Sequence, residues 1–190
     1  MEKVILDLSM SLDGYIAGPD VTPRQPMGIG GKRLHEWIFS GKTDIDGRIL
    51  EEVVSSSGAV IVGGRTYAIA IDDAWGGASP FSMPAFVVTN QNPVKAINGF
   101  AYVPEGISVA LEKAREAAKG KNVWLMGGAG IAQSYLKAGL VDEIHIHIIP
   151  VLLCCGTLLF EQIGTSPIEL ERIKIIESAG ATHVWFKVVK

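Results

Sequence analysis

Three short apolar runs in this chain, residues 59–62, 85–88 and 122–126, each stop at a turn of small or polar residues. The turns read Gly63-Gly64-Arg65-Thr66-Tyr67, Thr89-Asn90-Gln91 and Gly127-Gly128-Ala129-Gly130-Ile131. A buried strand that ends in small residues and gives way to a helical pattern is one unit of a layered α/β domain, and its repetition points to a largely parallel sheet. Backbone N–H groups in the first turn of a helix lack partners and carry partial positive charge. Such a junction suits a phosphate, which glycine allows close to the backbone.

The turn at residues 127–130 has strand, glycines and helix in the required order, and Arg65 adds a planar fork that grips phosphate in two places. A glycine pair after a strand also serves simply as a tight turn, so one junction alone identifies no ligand. Three in one chain point to a dinucleotide. They do not form a Rossmann fingerprint, because no GxGxxG follows the first strand and no acidic residue closes a second one.

The rest of the chain fits the same layering. Residues 4–8 read as a strand, 20–31 as a proline-containing loop, and 33–39 and 46–55 as helices, with Ile49, Leu50, Val53 and Val54 in one apolar stripe. Residues 100–103 form a further short strand, and Ser108 is expected to cap a helix that stops at Gly120. A helix over 131–138 ends at Gly139, and 143–149 is again a strand. In the tail, 168–177 and 182–189 are strand-like runs joined by 178–181. His183, Trp185 and Lys187 alternate there with Val184, Phe186 and Val188, the period of a hairpin strand. The expectation is one mixed α/β domain over residues 1–190, a mostly parallel sheet finished by an antiparallel hairpin.

Composition narrows the function classes. With 17 Lys+Arg against 20 Asp+Glu, a net charge of −3 and no basic stripe, nucleic acid is not the expected partner. The most apolar stretch, 144–160, is broken by His145, His147 and Pro150, so no membrane span is expected. The N-terminus lacks the basic and apolar regions of a secretion signal. Cys154 and Cys155 are adjacent, too close for an unstrained disulfide and without metal-ligand spacing. They are expected to be reduced and buried in a cytoplasmic protein.

The strand at 4–8 followed by Ser9-Met10-Ser11-Leu12-Asp13-Gly14-Tyr15-Ile16-Ala17-Gly18 resembles the opening of dihydrofolate-reductase-like proteins. Within them the chain is most similar to the group that includes the C-terminal reductase domain of bacterial riboflavin biosynthesis. Gly63-Gly64-Arg65-Thr66-Tyr67 resembles the family's Gly-Arg-x-Thr-aromatic turn, Val88-Thr89-Asn90 its second cofactor turn, and Gly127-Gly128-Ala129-Gly130-Ile131-Ala132 its Gly-Gly turn. Leu140-Val141-Asp142-Glu143-Ile144 followed by Pro150-Val151-Leu152-Leu153 is similar to the group's Leu-Val-Asp-Glu and Pro-x-Leu-Leu-Gly signature.

The resemblance implies a three-layer fold and hydride transfer from NADPH, with NADH not excluded, to a small heteroaromatic or carbonyl substrate. Arg65, Thr66, Thr89 and Asn90 would hold the adenosine end and its 2′-phosphate, residues 127–132 the pyrophosphate, and Ser9, Ile16 and Ala17 the nicotinamide. A homodimer is implied as well. The chain departs from the pattern at three places: Leu34 stands at the helix carboxylate that grips a pterin, Gly64 stands where the arginine is usual, and Cys154 replaces a glycine. The remaining candidates for chemistry are Glu36 and His147, while Asp13 is expected to order the loop after the first strand. The missing carboxylate keeps open a second reading, a protein that binds a nucleotide without turning it over.

Overall fold

The computed structural model describes residues 2–91 and 97–190. The chain opens with β1 (Val4–Ser11) and β2 (Tyr15–Ala17), then a 3-10 turn (Gly31–His35) and α1 (Asp44–Ser56). It continues through β3 (Ser57–Gly63), α2 (Gly64–Ala70), β4 (Ala85–Val88) and β5 (Phe100–Val103). Then come α3 (Ile107–Ala118), β6 (Asn122–Gly127), α4 (Ala129–Lys137) and β7 (Glu143–Ile149). The tail holds β8 (Thr157–Leu158), β9 (Leu170–Glu177) and β10 (Thr182–Val188).

Eight strands form one sheet in the order β5-β4-β3-β6-β1-β7-β10-β9, and β2 pairs with β8 in a separate two-stranded ribbon. Every neighbouring pair from β5 to β7 is parallel, while β10 runs antiparallel to both β7 and β9. The expected parallel sheet with an antiparallel C-terminal hairpin is therefore present.

Both faces of the sheet are covered, which is why its central strands read as continuous apolar runs rather than alternating ones. On one face, α3 and α4 bury Ala110, Leu111, Ile131 and Tyr135 against Leu6, Ile61, Leu125 and Ile144. On the other, α2 and the aromatic residues around it cover Val60, Val62, Ala85 and Val87. Leu34, Trp37 and Ile49 pack with Ile149 and Trp185 on the hairpin side. Each fully buried Leu, Ile or Val contributes about 1.5–3 kcal/mol relative to exposure, so the sheet centre is the rigid platform on which the turns are mounted.

Several local expectations change. The helix over 33–39 is a 3-10 turn at Gly31–His35 followed by turns, because the residues it buries, Leu34 and Trp37, recur at a spacing of three. The helix over 46–55 begins earlier, at Asp44, since Thr43 and Asp46 form a reciprocal capping box. Ser108 is not the cap of α3, which starts after Gly106 with no side-chain cap. Ala129 and Gly130 belong to α4 rather than to the turn before it. The start of any helix after the Thr89-Asn90-Gln91 junction lies among residues 92–96, outside the described residues. Cys154 and Cys155 are exposed, not buried, because the chain leaves the sheet at Ile149 and residues 150–156 form a surface loop.

Candidate functional site

Parallel strands deliver their loops to one edge of a sheet, and here β3, β6 and β1 are adjacent, so their C-terminal ends line up. A cavity of about 490 Å³ lies along them, within the range of small-molecule and cofactor sites. Gly63, Gly64, Arg65 and Thr66 form its wall at the β3 end, and Gly128, Ala129, Gly130 and Ile131 form the middle. Ser9, Ile16 and Ala17 stand at the β1 end beside Met27 and His35.

The glycines hold this edge together for identifiable reasons. A Cβ on Gly64 would lie 2.6 Å from the Thr89 Cβ, so the β4 turn packs directly on the start of α2. A Cβ on Gly128 would lie 2.9 Å from Thr66 Oγ1, which accepts a 2.9 Å hydrogen bond from the Gly128 N–H. The Gly127–Gly128 peptide is cis. Gly130 is different: an added Cβ would meet no protein atom within 4 Å beyond its neighbours and its own helix's backbone, and its φ is not left-handed. The amides of residues 129–131 precede the first intrahelical hydrogen bond of α4, from Ala132 N to the Gly128 carbonyl, and are free donors.

Of the residues expected to hold a cofactor, Thr89, Asn90, Gly127 and Ala132 do not line the cavity. Ala132 is fully buried beneath the first turn of α4, and Thr89 spends its hydroxyl on the Gln91 amide, accepting at 3.1 Å. Glu36 does not line it either; its carboxylate pairs with Arg33 at 2.7 Å on the surface. Asp13 sits where it ties two loops together, accepting from the Ser11 hydroxyl and from the amides of Leu153 at 3.1 Å and Cys154 at 2.7 Å. The Ser11 hydrogen bond, followed by those of the loop amides, holds the Asp13 carboxyl below its usual range.

His147 is buried in a chain of polar side chains that crosses the sheet next to the cavity. Its Nε2 lies 3.2 Å from Asp7 Oδ1, and its Nδ1 lies 2.7 Å from Nδ1 of His183, so one ring must donate and the other accept. The Nε2 of His183 reaches Asp46 Oδ1 at 3.2 Å, and both residues are fully buried. On the other side of Asp7, His145 bridges to Glu143 at 3.1 Å. Burial alone would raise the Asp7 carboxyl, but His147 and His145 together hold it well below the usual carboxylate range. Burial pushes His183 down to about 4, with the neighbouring His147 adding to the effect and Asp46 opposing it. Trp37 covers this chain, 4.4 Å from the His147 ring, and its Nε1 donates to Ser9 Oγ at 2.8 Å.

The residue that sequence reasoning missed is His35. It lines the cavity from the end of the 3-10 turn, and its Nδ1 is enclosed without a hydrogen-bond partner. Burial pushes its pKa down to about 4; the nearby Gly31 carbonyl pulls the other way without reaching hydrogen-bond geometry with Nδ1, and His147 adds to the fall. No signal in the sequence distinguishes it from a surface histidine, since only the packing of the turn onto β1 and β2 encloses it. Among the described residues no grouping of His, Cys, Asp and Glu has the geometry to hold a metal ion, and no helix is long and apolar enough to cross a membrane.

The RibD C-terminal domain model matches residues 2–184. The uncharacterized protein YwjB of Bacillus subtilis is 26% identical over 164 residues, 85% of this chain and 84% of that protein. The crystal structure of a putative riboflavin biosynthesis protein from Shewanella sp. PV-4 superposes with a TM-score of 0.74 at 24% identity, covering 99% of both chains. A diaminohydroxyphosphoribosylaminopyrimidine deaminase/5-amino-6-(5-phosphoribosylamino)uracil reductase from Thermotoga maritima gives a TM-score of 0.66 at 17% identity. That alignment spans 99% of this chain but 57% of the Thermotoga one. The cavity edge, the sheet order and a family match over nearly the whole length agree: this chain belongs to the RibD C-terminal domain family and has its dihydrofolate-reductase-like fold.

Proposed function

We propose that this chain is a reductase that binds NADPH along the C-terminal ends of β3, β6 and β1 and reduces a small heteroaromatic or carbonyl compound. The observation that carries the reading is Gly130. No packing contact outside its own helix requires glycine there, and it sits in the first turn of α4, where the free amides are and where a phosphate would need to approach the backbone. Those amides and the helix dipole suit a pyrophosphate. Arg65, at the β3 end of the cavity, is exposed and has no ion-pair partner among the described residues, which suits a 2′-phosphate. Ser9, Ile16 and Ala17 offer a mostly apolar wall at the β1 end for a nicotinamide ring.

Bound NADPH supplies a hydride, and the electron pair displaced from the reduced bond ends on the acceptor's heteroatom, which takes a proton from water. The chain's own part is to align the acceptor against that ring and keep other water away, for which the apolar lining of Ile16, Ala17 and Met27 at the β1 end is suited. Titration with NADPH and NADH, followed by cofactor fluorescence, tests the reading; no binding of either at millimolar concentration would end it.

One observation favours a second reading. No carboxylate lines the cavity among the described residues, so the chain would bind the nucleotide without a group to anchor a pterin. NADPH binding without oxidation in the presence of dihydrofolate, pyrimidine and carbonyl acceptors would support it. A homodimer belongs to the proposal as well, since Leu152, Phe160, Leu170 and Ile175 leave apolar surface exposed; sedimentation velocity reads that directly.

A further inference from the structure

We propose that His35, with Ser9 beside it, is the specificity-determining contact of this cavity and selects an uncharged ring compound over a cationic one. The proposal rests on the cofactor reading in placing the nucleotide's phosphates at the β3 and β6 turns and its nicotinamide at the β1 end, where an acceptor meeting that ring also meets His35; the preference itself is argued from the groups at the β1 end.

Strand order separates the two ends. Arg65 follows β3, the Gly128 turn follows β6 in the middle, and His35 packs with the 3-10 turn over β1 and β2. Among the described residues lining the cavity, Arg65 and His35 are the ionisable ones. A cation therefore finds no counter-charge, and an anion finds its partner at the far end. What the β1 end offers is neutral polarity. Ser9 Oγ accepts from Trp37 Nε1, and its own proton has no acceptor among the described residues, so it is left to donate. The ring of His35 is uncharged near neutral pH, with one nitrogen that donates and one that accepts. Its Nδ1 is walled in by protein, whereas its Nε2 is not enclosed and has no hydrogen-bond partner among the described residues, so Nε2 is the atom that a ligand in the cavity can meet. Polar atoms on a cavity wall that lack a protein partner favour the ligand that pairs with them and disfavour one that does not.

Two bicyclic probes of nearly equal shape separate these properties: lumazine, an uncharged dione, and 2,4-diaminopteridine, a basic ring that carboxylate sites take as a cation. Binding is measured on the free protein and on the NADPH-loaded protein, and NADPH affinity is measured separately. Wild-type protein is expected to bind lumazine at least tenfold more tightly than the diaminopteridine. His35→Phe is expected to lose about tenfold for lumazine while holding NADPH within twofold. His35→Asn restores part of the loss, and His35→Glu reverses the preference towards the diaminopteridine.

A wild-type preference for the diaminopteridine, or no lumazine binding at millimolar concentration, overturns the proposal. So does an unchanged preference in both His35→Phe and His35→Glu. If NADPH fails to bind, the cofactor reading falls, while the preference measured on the free protein still judges His35.

Discussion

Replacing Gly130 with alanine separates the requirements of the helix from those of its ligand. Gly130 is the second residue of α4, in a backbone conformation open to any residue, and an added Cβ would meet no protein atom within 4 Å beyond its neighbours and its own helix's backbone. Glycine costs a helix interior about 0.5–1 kcal/mol relative to alanine, and less in the first turn. With no clash to offset this, Gly130→Ala is expected to gain a few tenths of a kcal/mol to about 1 kcal/mol. For a chain of 190 residues that corresponds to about 1–3 °C in Tm.

The same methyl group sits on the first turn of α4, whose amides at residues 129–131 precede its first intrahelical hydrogen bond, and a phosphate seated on that turn, as proposed, must come close to the backbone there. Losing one charge-assisted hydrogen bond costs about 1.5–3 kcal/mol, roughly 10- to 100-fold in NADPH affinity. Differential scanning fluorimetry and a fluorescence titration of the same sample measure both effects. A raised Tm with unchanged NADPH affinity would refute the placement of the phosphate, and a lowered Tm would refute the open space. Gly64→Ala is the control with the opposite sign, since its Cβ would meet Thr89 at 2.6 Å and should destabilise by about 1–3 kcal/mol.

Arg65→Ala should weaken NADPH at least tenfold more than NADH, measured side by side by titration; equal losses would exclude contact with the 2′-phosphate. Stability should fall between pH 6.5 and 4, because burial holds His35 and His183 near 4 when folded while the unfolded chain binds their protons at about 6.5. Near pH 5 about two protons are taken up on unfolding; urea denaturation at pH 7.5, 6 and 5 reads this, and a flat profile would contradict the burial of the two rings. Asp46→Ala should cost about 2–4 kcal/mol, since Asp46 both closes the capping box with Thr43 and accepts from His183, whereas Asp46→Asn keeps an acceptor and should cost about half as much. Chemical denaturation of the two variants gives the comparison.

The parts of the fold visible in the sequence were those written in neighbouring residues. An apolar run stopping at Gly63 or Gly127, and the alternation from His183 to Val188, are local patterns fixed by strand geometry. Thr43 and Asp46 carried a capping-box signal three residues apart that would have set the start of α1 correctly. Other features depend on partners far along the chain. Asp7, His147 and His183 meet only because β1, β7 and β10 pair side by side, Asp46 reaches His183 from α1, and no spacing in the sequence brings Asp7 to a histidine 140 residues away. β2 and β8 are too short for a period to register. The exposure of Cys154 and Cys155 runs against their apolar context because the backbone, not the side chains, turns that segment outward, with φ of 65° at Cys154.

The hydrogen bond from the Gly128 amide to Thr66 joins the turn after β3 to the turn after β6. Because both turns stand on adjacent strands of a packed sheet, neither moves without the other. A dinucleotide arriving there meets a surface already in its bound shape, so little is lost in ordering the protein. Nucleotides that differ by one phosphate should then arrive at similar speeds and differ in how long they stay. Stopped-flow association rates for NADPH and NADH should agree within a few fold, with discrimination expressed in residence time.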